Sequence, residues 1–276
     1  GRGTLMADIL RTAKIKPAFL AAADVRLVEI SPRLRELQRA TLEKGGATAH
    51  WHDRIEDIPR GPAIVIANEF FDALPVHQFE WADGHWSERV IGLTAEGALG
   101  FGRRPVEQRA MAVAIPERAI VETSPAAKAI MSTLAARLKQ QGGAALIVDY
   151  GSAEPGHGNT LQAVRAHKYD DVLAAPGEAD ITAHVDFAAL ARAATAAGVE
   201  ARKVMRQGEF LIRLGLVDRA KVLGRGTDPK TRDLIAAAME RLAGPKAMGD
   251  LFKVLAISAP GLKLPVFDPL PMEAAR

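Results

Sequence analysis

The sequence predicts an α/β fold. A mostly parallel sheet is sandwiched between helices and ends on an antiparallel last strand, with a β-meander insertion and a helical insertion. Three observations carry this. Short continuous apolar runs such as PAIVIAN (62–68) and GAALIVDYG (143–151) read as strands buried on both faces. Amphipathic stretches of helical period alternate with them. Between residues 78 and 102, QFEWADGHWSERVIGLTAEGALGFG switches to period two around Asp83-Gly84 and Glu96-Gly97 turns, which marks an antiparallel meander.

The elements follow in order. Leu5, Met6, Ile9 and Leu10 recur at helical spacing, so a helix starts at Thr4, with Gly1 and Gly3 just ahead where bare backbone N–H groups can face a ligand. VRLVEI (25–30) is a strand. SPRLRELQRATLEKGG is a helix with Ser31 as N-cap, Pro32 at the first position and Gly45 as its stop. ATAHWH (47–52) is a weaker strand. ETSPAAKAIMSTLAARLKQQGG (122–143) is a helix with Ser124 and Pro125 at its start and Gly142 at its end. Residues 152–180 show no periodicity, and so long a connection is usually functional or mobile. Val185 to Ala197 forms a helix closed by Gly198, with His184 as its cap, and EARKVM (200–205) is strand-like. Residues 207–244 are helical, Pro229 following Asp228. LFKVLAIS (251–258) is the last strand, pairing antiparallel with 200–205, and the Pro-rich stretch after Pro260 is loose.

Composition narrows the function. The 276 residues suffice for one α/β domain with a sizeable core. A net charge of +3 with scattered Lys and Arg leaves no nucleic-acid footprint. Zero cysteines exclude disulfides and thiol nucleophiles. The seven His lack ligand spacing, so no metal site is expected. No apolar run approaches the roughly 18 residues of a membrane span.

A glycine loop opening a helix suits a nucleotide cofactor at the strand ends. Glu29, ending the 25–30 strand, can accept from both ribose hydroxyls of either a nicotinamide dinucleotide or S-adenosylmethionine. The dinucleotide fingerprint requires a small third residue, and Met6 stands there.

Ten blocks in order extend this reading: GRGTLMADILR, VEISPRLRELQ, ANEFFDALPV, WSERVIG, ETSP, ALIVDYG, NTLQAVRAHK, GEADITAHVDF, QGEFLIRLG and MGDLFKVLAIS. Together the chain resembles the MidA-like S-adenosylmethionine-dependent methyltransferases, a family that includes the mitochondrial complex I assembly methyltransferase. The resemblance implies a Rossmann-like class I methyltransferase fold over 1–276, with a meander insertion at 78–120, a helical insertion at 207–250 and a tail at 259–276. It also implies that the first strand and the start of the glycine loop lie upstream, so these residues alone are expected to fold poorly. S-adenosylmethionine would be the cofactor, S-adenosylhomocysteine the product, and a protein arginine, on a respiratory complex I subunit, the acceptor of symmetric dimethylation.

By the same resemblance Gly1 and Gly3 line the cofactor loop, Glu29 holds ribose, and His52 and Asp53, after Trp51, lie where adenine is contacted. Asn68 faces the methionine part of the cofactor. Glu69 and Asp72 have the chemistry an arginine acceptor needs, since carboxylates bind the guanidinium fork and can take its proton. Their three-residue spacing puts them on one side of a helical turn. Asp149 and His184 are candidate substrate ligands. Arg165, His167 and Lys168 can recognise an acidic partner, Arg89 can pair with Glu88 or a core acid, and Phe210 and Leu211 belong to a lid or to the core. Three rival readings remain at this stage: a non-catalytic assembly factor, a methyltransferase of RNA or small molecules, and a nicotinamide oxidoreductase. Ala-rich, Arg-over-Lys usage suggests a bacterial cytoplasm, with the mitochondrial matrix as the eukaryotic alternative.

Overall fold

The computed structural model describes residues 1–106, 116–166 and 168–268. Two compact units divide the chain, Gly1–Gly61 and Pro62–Arg276.

In the first unit, α1 (Thr4–Ala13) and α2 (Pro17–Ala22) precede β1 (Arg26–Val28), α3 (Pro32–Lys44) and β2 (His50–His52). Ser31 caps α3 by accepting from the Leu34 N–H at 3.3 Å, with Pro32 at the first position, where a missing N–H costs nothing. β1 and β2 pair in parallel, Leu27 opposite Trp51. Both strands are shorter than their apolar runs.

The second unit contains β3 (Ala63–Asn68), β4 (His77–Ala82), β5 (His85–Leu93), β6 (Leu99–Pro105), β7 (Ile120–Thr123), α4 (Pro125–Gln141) and β8 (Gly143–Ser152). There follow β9 (Gln162–Arg165), β10 (Lys168–Asp170), β11 (Asp180–Thr182), β12 (Val185–Asp186), α5 (Phe187–Ala197), β13 (Glu200–Ala201) and β14 (Met205–Arg206). The chain then runs through α6 (Gln207–Arg213), α7 (Leu216–Gly224), α8 (Pro229–Ala243), α9 (Met248–Leu251) and β15 (Phe252–Ser258).

β8 organises this unit. It pairs in parallel with β3, Asn68 opposite Val148, and antiparallel with β15, Lys253 opposite Asp149. β13 and β14 add antiparallel to the far edge of β15. Met131, Leu134 and Leu138 of α4 and Phe187, Leu190 and Ala194 of α5 pack with Ile147, Leu255 and Ile257 as the core. Each large apolar side chain so buried contributes roughly 1.5–3 kcal/mol.

The meander forms a separate sheet in the order β6-β5-β4-β7. Its first turn has both Asp83 (φ 53°) and Gly84 (φ 76°) left-handed, the combination that matches hairpin twist. β7 takes the start of the stretch read as helix, and α4 begins only at Pro125. Part of the 78–120 segment, residues 107–115, lies outside the described residues, as do His167 and 269–276.

Several expectations are corrected. The 152–180 stretch is not structureless: β9, β10 and β11 form a three-stranded antiparallel sheet. Strands of three or four residues are too short to display a period. The cap of α5 is Asp186, accepting from the Ala189 N–H at 2.8 Å, and not His184. The 200–205 strand is split into β13 and β14, and the side chain of Arg202 between them clamps the segment after β15. It pairs with both Asp268 oxygens, at 2.8 and 3.0 Å, and donates to the Leu262 carbonyl, so residues up to Asp268 are tied down rather than loose. Phe210 is a core residue, tilted against Phe267 at 5.5 Å.

Gly143 is where α4 hands over to β8, and it admits no side chain. Its φ is 111°, and a Cβ would lie 2.0 Å from the Ala63 carbonyl oxygen, its partner on β3. Gly143→Ala should cost about 2–6 kcal/mol, combining backbone strain and overpacking of about 1–3 kcal/mol each. Urea unfolding reads this directly; an unchanged midpoint would mean that β3 and β8 do not meet as described.

Candidate active site

Two clusters of the predicted residues form, one in each unit. In the second unit the turn after β3 is set by a buried carboxylate. Asp149 is 0% exposed, and its Oδ2 accepts from the backbone N–H groups of Phe70, Phe71 and Asp72 at 3.1, 3.0 and 3.3 Å. Its Oδ1 accepts from the Tyr150 N–H at 3.0 Å. The Glu69 N–H donates to the Val148 carbonyl at 2.9 Å. Glu69 is thereby held at φ 47°, a left-handed conformation rare outside glycine and retained where neighbours over-determine it. Its carboxylate is exposed and accepts from Asn68 Nδ2 at 3.1 Å.

The expected pairing of Glu69 with Asp72 on a helical turn does not form. Residues 69–74 are bends and turns, and Asp72 points inward, 5% exposed. The Tyr150 phenol interacts with the Asp72 carboxylate, while Asp72 Oδ1 is buried without a hydrogen-bond partner among the described residues. Asp149, expected to meet substrate, is an anchor for the turn, because every contact of its carboxylate is internal.

Burial raises the Asp72 carboxyl above its ordinary value. Burial and then the charge of Asp72 push Asp149 up to about 7, against the backbone donors that favour its ionised form. Tyr150 is raised too, by burial first.

His184 is exposed, its ring edge-on to Tyr150 at 5.5 Å. Its backbone N–H donates to Thr160 Oγ1 at 2.8 Å. Glu122, on β7, receives that threonine's hydroxyl, the backbone N–H groups of Thr160 and Leu161 at 3.0 and 3.2 Å, and Gln78 Nε2 at 2.6 Å. Partial desolvation of the ring, which rests edge-on against Tyr150, lowers the His184 pKa. Arg89 bonds Gln78 and lies over the Phe101 ring at 4.4 Å instead of pairing with Glu88. Arg165 pairs with Asp170 at 2.7 Å.

The cluster in the first unit surrounds Glu29. Its Oε1 accepts from the Ser31 N–H at 2.9 Å, and its Oε2 from Gln38 Nε2 at 3.1 Å. A carboxylate offers about four lone-pair sites, so acceptor capacity remains on both oxygens. His52 bonds Arg26 at 3.0 Å, and its carbonyl accepts from the Glu29 N–H at 3.1 Å. Asp53 is exposed and paired with Arg35 at 2.5 Å. Gly3 caps α1 at φ 82° and offers no side-chain acceptor to the first helical N–H groups, so that end can receive an anion or polar ligand.

Tyr150, Glu122, Thr160 and Gln38 were missed in the sequence. Gln38 alone carried a signal: with Leu34 and Leu42 it completes an i, i+4, i+8 stripe on α3, where a polar residue needs a reason.

Known proteins fit this geometry. A family described as S-adenosyl-L-methionine-dependent methyltransferase matches residues 1–205. Over 93% of the chain, the protein arginine methyltransferase NDUFAF7, mitochondrial, of Danio rerio is 34% identical, as is that of Homo sapiens; the chain spans 67% and 64% of those proteins. A Burkholderia thailandensis crystal structure superposes with a TM-score of 0.82 at 31% identity, over 94% of this chain and 71% of that one. A second, bound to S-adenosyl-homocysteine, gives 0.79 at 29% identity over 94% and 69%. The chain belongs to the S-adenosylmethionine-dependent methyltransferase family.

It is accordingly an enzyme of class I methyltransferase fold that uses S-adenosylmethionine. The spare acceptor capacity of Glu29 and the side-chain-free start of α1 fit that cofactor's ribose and its polar tail. Among the described residues no group of three or more His, Asp or Glu is placed to hold a metal, and no helix is long and apolar enough to cross a membrane.

The Asp72–Asp149 pair has a consequence for pH. A folded-state pKa of about 7 lies above the ordinary value of 3.8. Stability from proton binding is therefore complete below about pH 4 and is lost as pH rises through 7. Asp72→Asn removes the like charge, so the Asp149 pKa should fall towards the usual carboxylate range in a 13C carboxyl titration. No movement would mean that burial alone sets it.

Proposed function

We propose that the protein is a protein arginine N-methyltransferase that forms symmetric dimethylarginine on a subunit of respiratory complex I or a related assembly. That its relatives are protein arginine methyltransferases supports arginine as the acceptor. One observation in the molecule carries the proposal. Glu69 presents an exposed carboxylate, oriented by Asn68, on a backbone locked by Asp149. A rigid anionic acceptor at a strand end is what a guanidinium fork requires.

S-adenosylmethionine supplies an electrophilic methyl group on a sulfonium. Gly1, Gly3, Glu29, His52 and Asp53 hold it in this reading, Glu29 taking the ribose hydroxyls. Glu69 binds the acceptor guanidinium and localises its charge away from the reacting nitrogen. It then takes the proton that nitrogen releases. Asn68 keeps the carboxylate aimed and, in this reading, serves the acceptor side rather than the methionine part of the cofactor. Asp72 acts through Tyr150, holding the phenol so that its ring and His184 flank the acceptor. Asp149 fixes the whole turn. The work is thus positioning plus one proton transfer, sufficient for an in-line displacement. A bacterial protein of this kind works in the cytoplasm, and a eukaryotic one in the mitochondrial matrix; the relatives themselves are mitochondrial proteins.

The test is methyl transfer from labelled S-adenosylmethionine to the proteins of cells lacking this enzyme, with the modified residue identified by mass spectrometry. Methylarginine should appear, and Glu69→Gln should lower kcat by about 10²–10⁴-fold while S-adenosylhomocysteine affinity is kept. Label on another residue type, or an unimpaired Glu69→Gln, would sink the assignment. No label at all would favour a non-catalytic assembly factor.

A further inference from the structure

Gln38 joins three parts of the first unit through one side chain. It is 4% exposed. Its Nε2 donates to the Gly1 carbonyl at 2.9 Å and to Glu29 Oε2 at 3.1 Å. Its Oε1 accepts from the Trp51 indole Nε1–H at 2.7 Å. The amide cannot be flipped: the indole is only a donor, and the two groups on the other side are only acceptors. The indole therefore dictates which end of Gln38 faces the carboxylate, and Arg39 packs over the indole ring at 4.8 Å.

The loop glycine is fitted to the same residue. A Cβ on Gly3 would come within 3.1 Å of the Gln38 Cα, and φ 82° already disfavours any side chain there. Glycine at position 3 thus lets the start of α1 lie directly against α3 at Gln38. The backbone of Glu29 is fixed independently, by the His52 carbonyl on its N–H and by Arg35 Nε on its carbonyl at 2.6 Å. What those bonds leave free is the rotation of the carboxylate, and its two fixing donors are the Ser31 N–H and Gln38.

We propose that Gln38 is a positioning residue for the methyl donor. It sets the plane of the Glu29 carboxylate against the ribose hydroxyl pair and ties that carboxylate to the glycine loop, so that loop and ribose ligand form one rigid element. The proposal rests on Glu29 as the ribose ligand. Loss of Gln38 leaves Glu29 with one fixing donor, free to swing, and its advantage for a vicinal diol disappears. Trp51 is part of the device, since without its N–H the amide can rotate and present oxygen to the carboxylate.

The experiment compares binding of S-adenosylhomocysteine and its 2′-deoxy analogue by calorimetry to the protein and to its Glu29→Ala, Gln38→Met and Trp51→Phe variants. The unaltered protein should prefer the ribose form by about ten- to hundredfold, the value of a hydrogen bond to a charged group. Glu29→Ala and Gln38→Met should each bring the two ligands to within about threefold of one another, and Trp51→Phe should give an intermediate ratio. A merely structural loosening would weaken both ligands together and leave the ratio intact, and that result for Gln38→Met overturns the proposal. An unchanged ratio in Glu29→Ala instead removes Glu29 as ribose ligand. Should Gln38→Met fail to fold, Trp51→Phe decides, and an unaltered ratio there overturns the proposal.

Discussion

The second unit depends on one buried carboxylate. Asp149 lies within its sheet, fully enclosed, and takes three backbone N–H groups from the turn after β3 and a fourth from Tyr150, the next residue on its own strand. A chain leaving a parallel strand must find partners for its next few N–H groups. After β3 those partners are Val148 and Asp149, both on the adjacent strand. The carboxylate thus replaces the helix or further strand that would otherwise have satisfied residues 69–72. It also fixes Glu69 in a conformation its own side chain disfavours.

That anchoring is electrostatically costly. Burial penalises the charge on Asp149, and Asp72 adds a second acid close by, so Asp149 is pushed up to about 7 and Asp72 is raised as well. Buried acids at a strand end are where functional sites concentrate, since shifted proton affinity and pre-set geometry arise from the same enclosure. The exposed acid, Glu69, projects outward from the turn the buried acid holds. One carboxylate is spent on shape, and another remains available for chemistry.

Polar residues with several partners do the same work elsewhere. Gln38 interrupts the buried face of α3, and Glu122 gathers residues 160 and 161 onto the inserted sheet. Each is satisfied by several partners drawn from distant parts of the chain. Such side chains fix geometry well because a buried polar group left unpaired costs more than a formed bond returns. The inserted sheet is therefore linked through Thr160 to the loop that carries His184.

By itself the sequence determined the helices, through Ser31, Pro32, Ser124, Pro125 and the 3.6-residue apolar period, and the long strands, through PAIVIAN and GAALIVDYG. Capping and periodicity are local, so they survive in one dimension. The order of the blocks identified the family, and the acids at strand ends pointed to Glu29 and Glu69. Only the tertiary structure decided that Asp72 and Asp149 face inward, that Asp186 and not His184 caps α5, and that residues 152–180 pair as strands. It alone brought Gln38, Trp51 and Gly1 together. Those outcomes rest on hydrogen bonds between residues far apart in the chain, and which of two nearby acids wins a buried set of N–H donors is settled by packing, which leaves no local pattern to read.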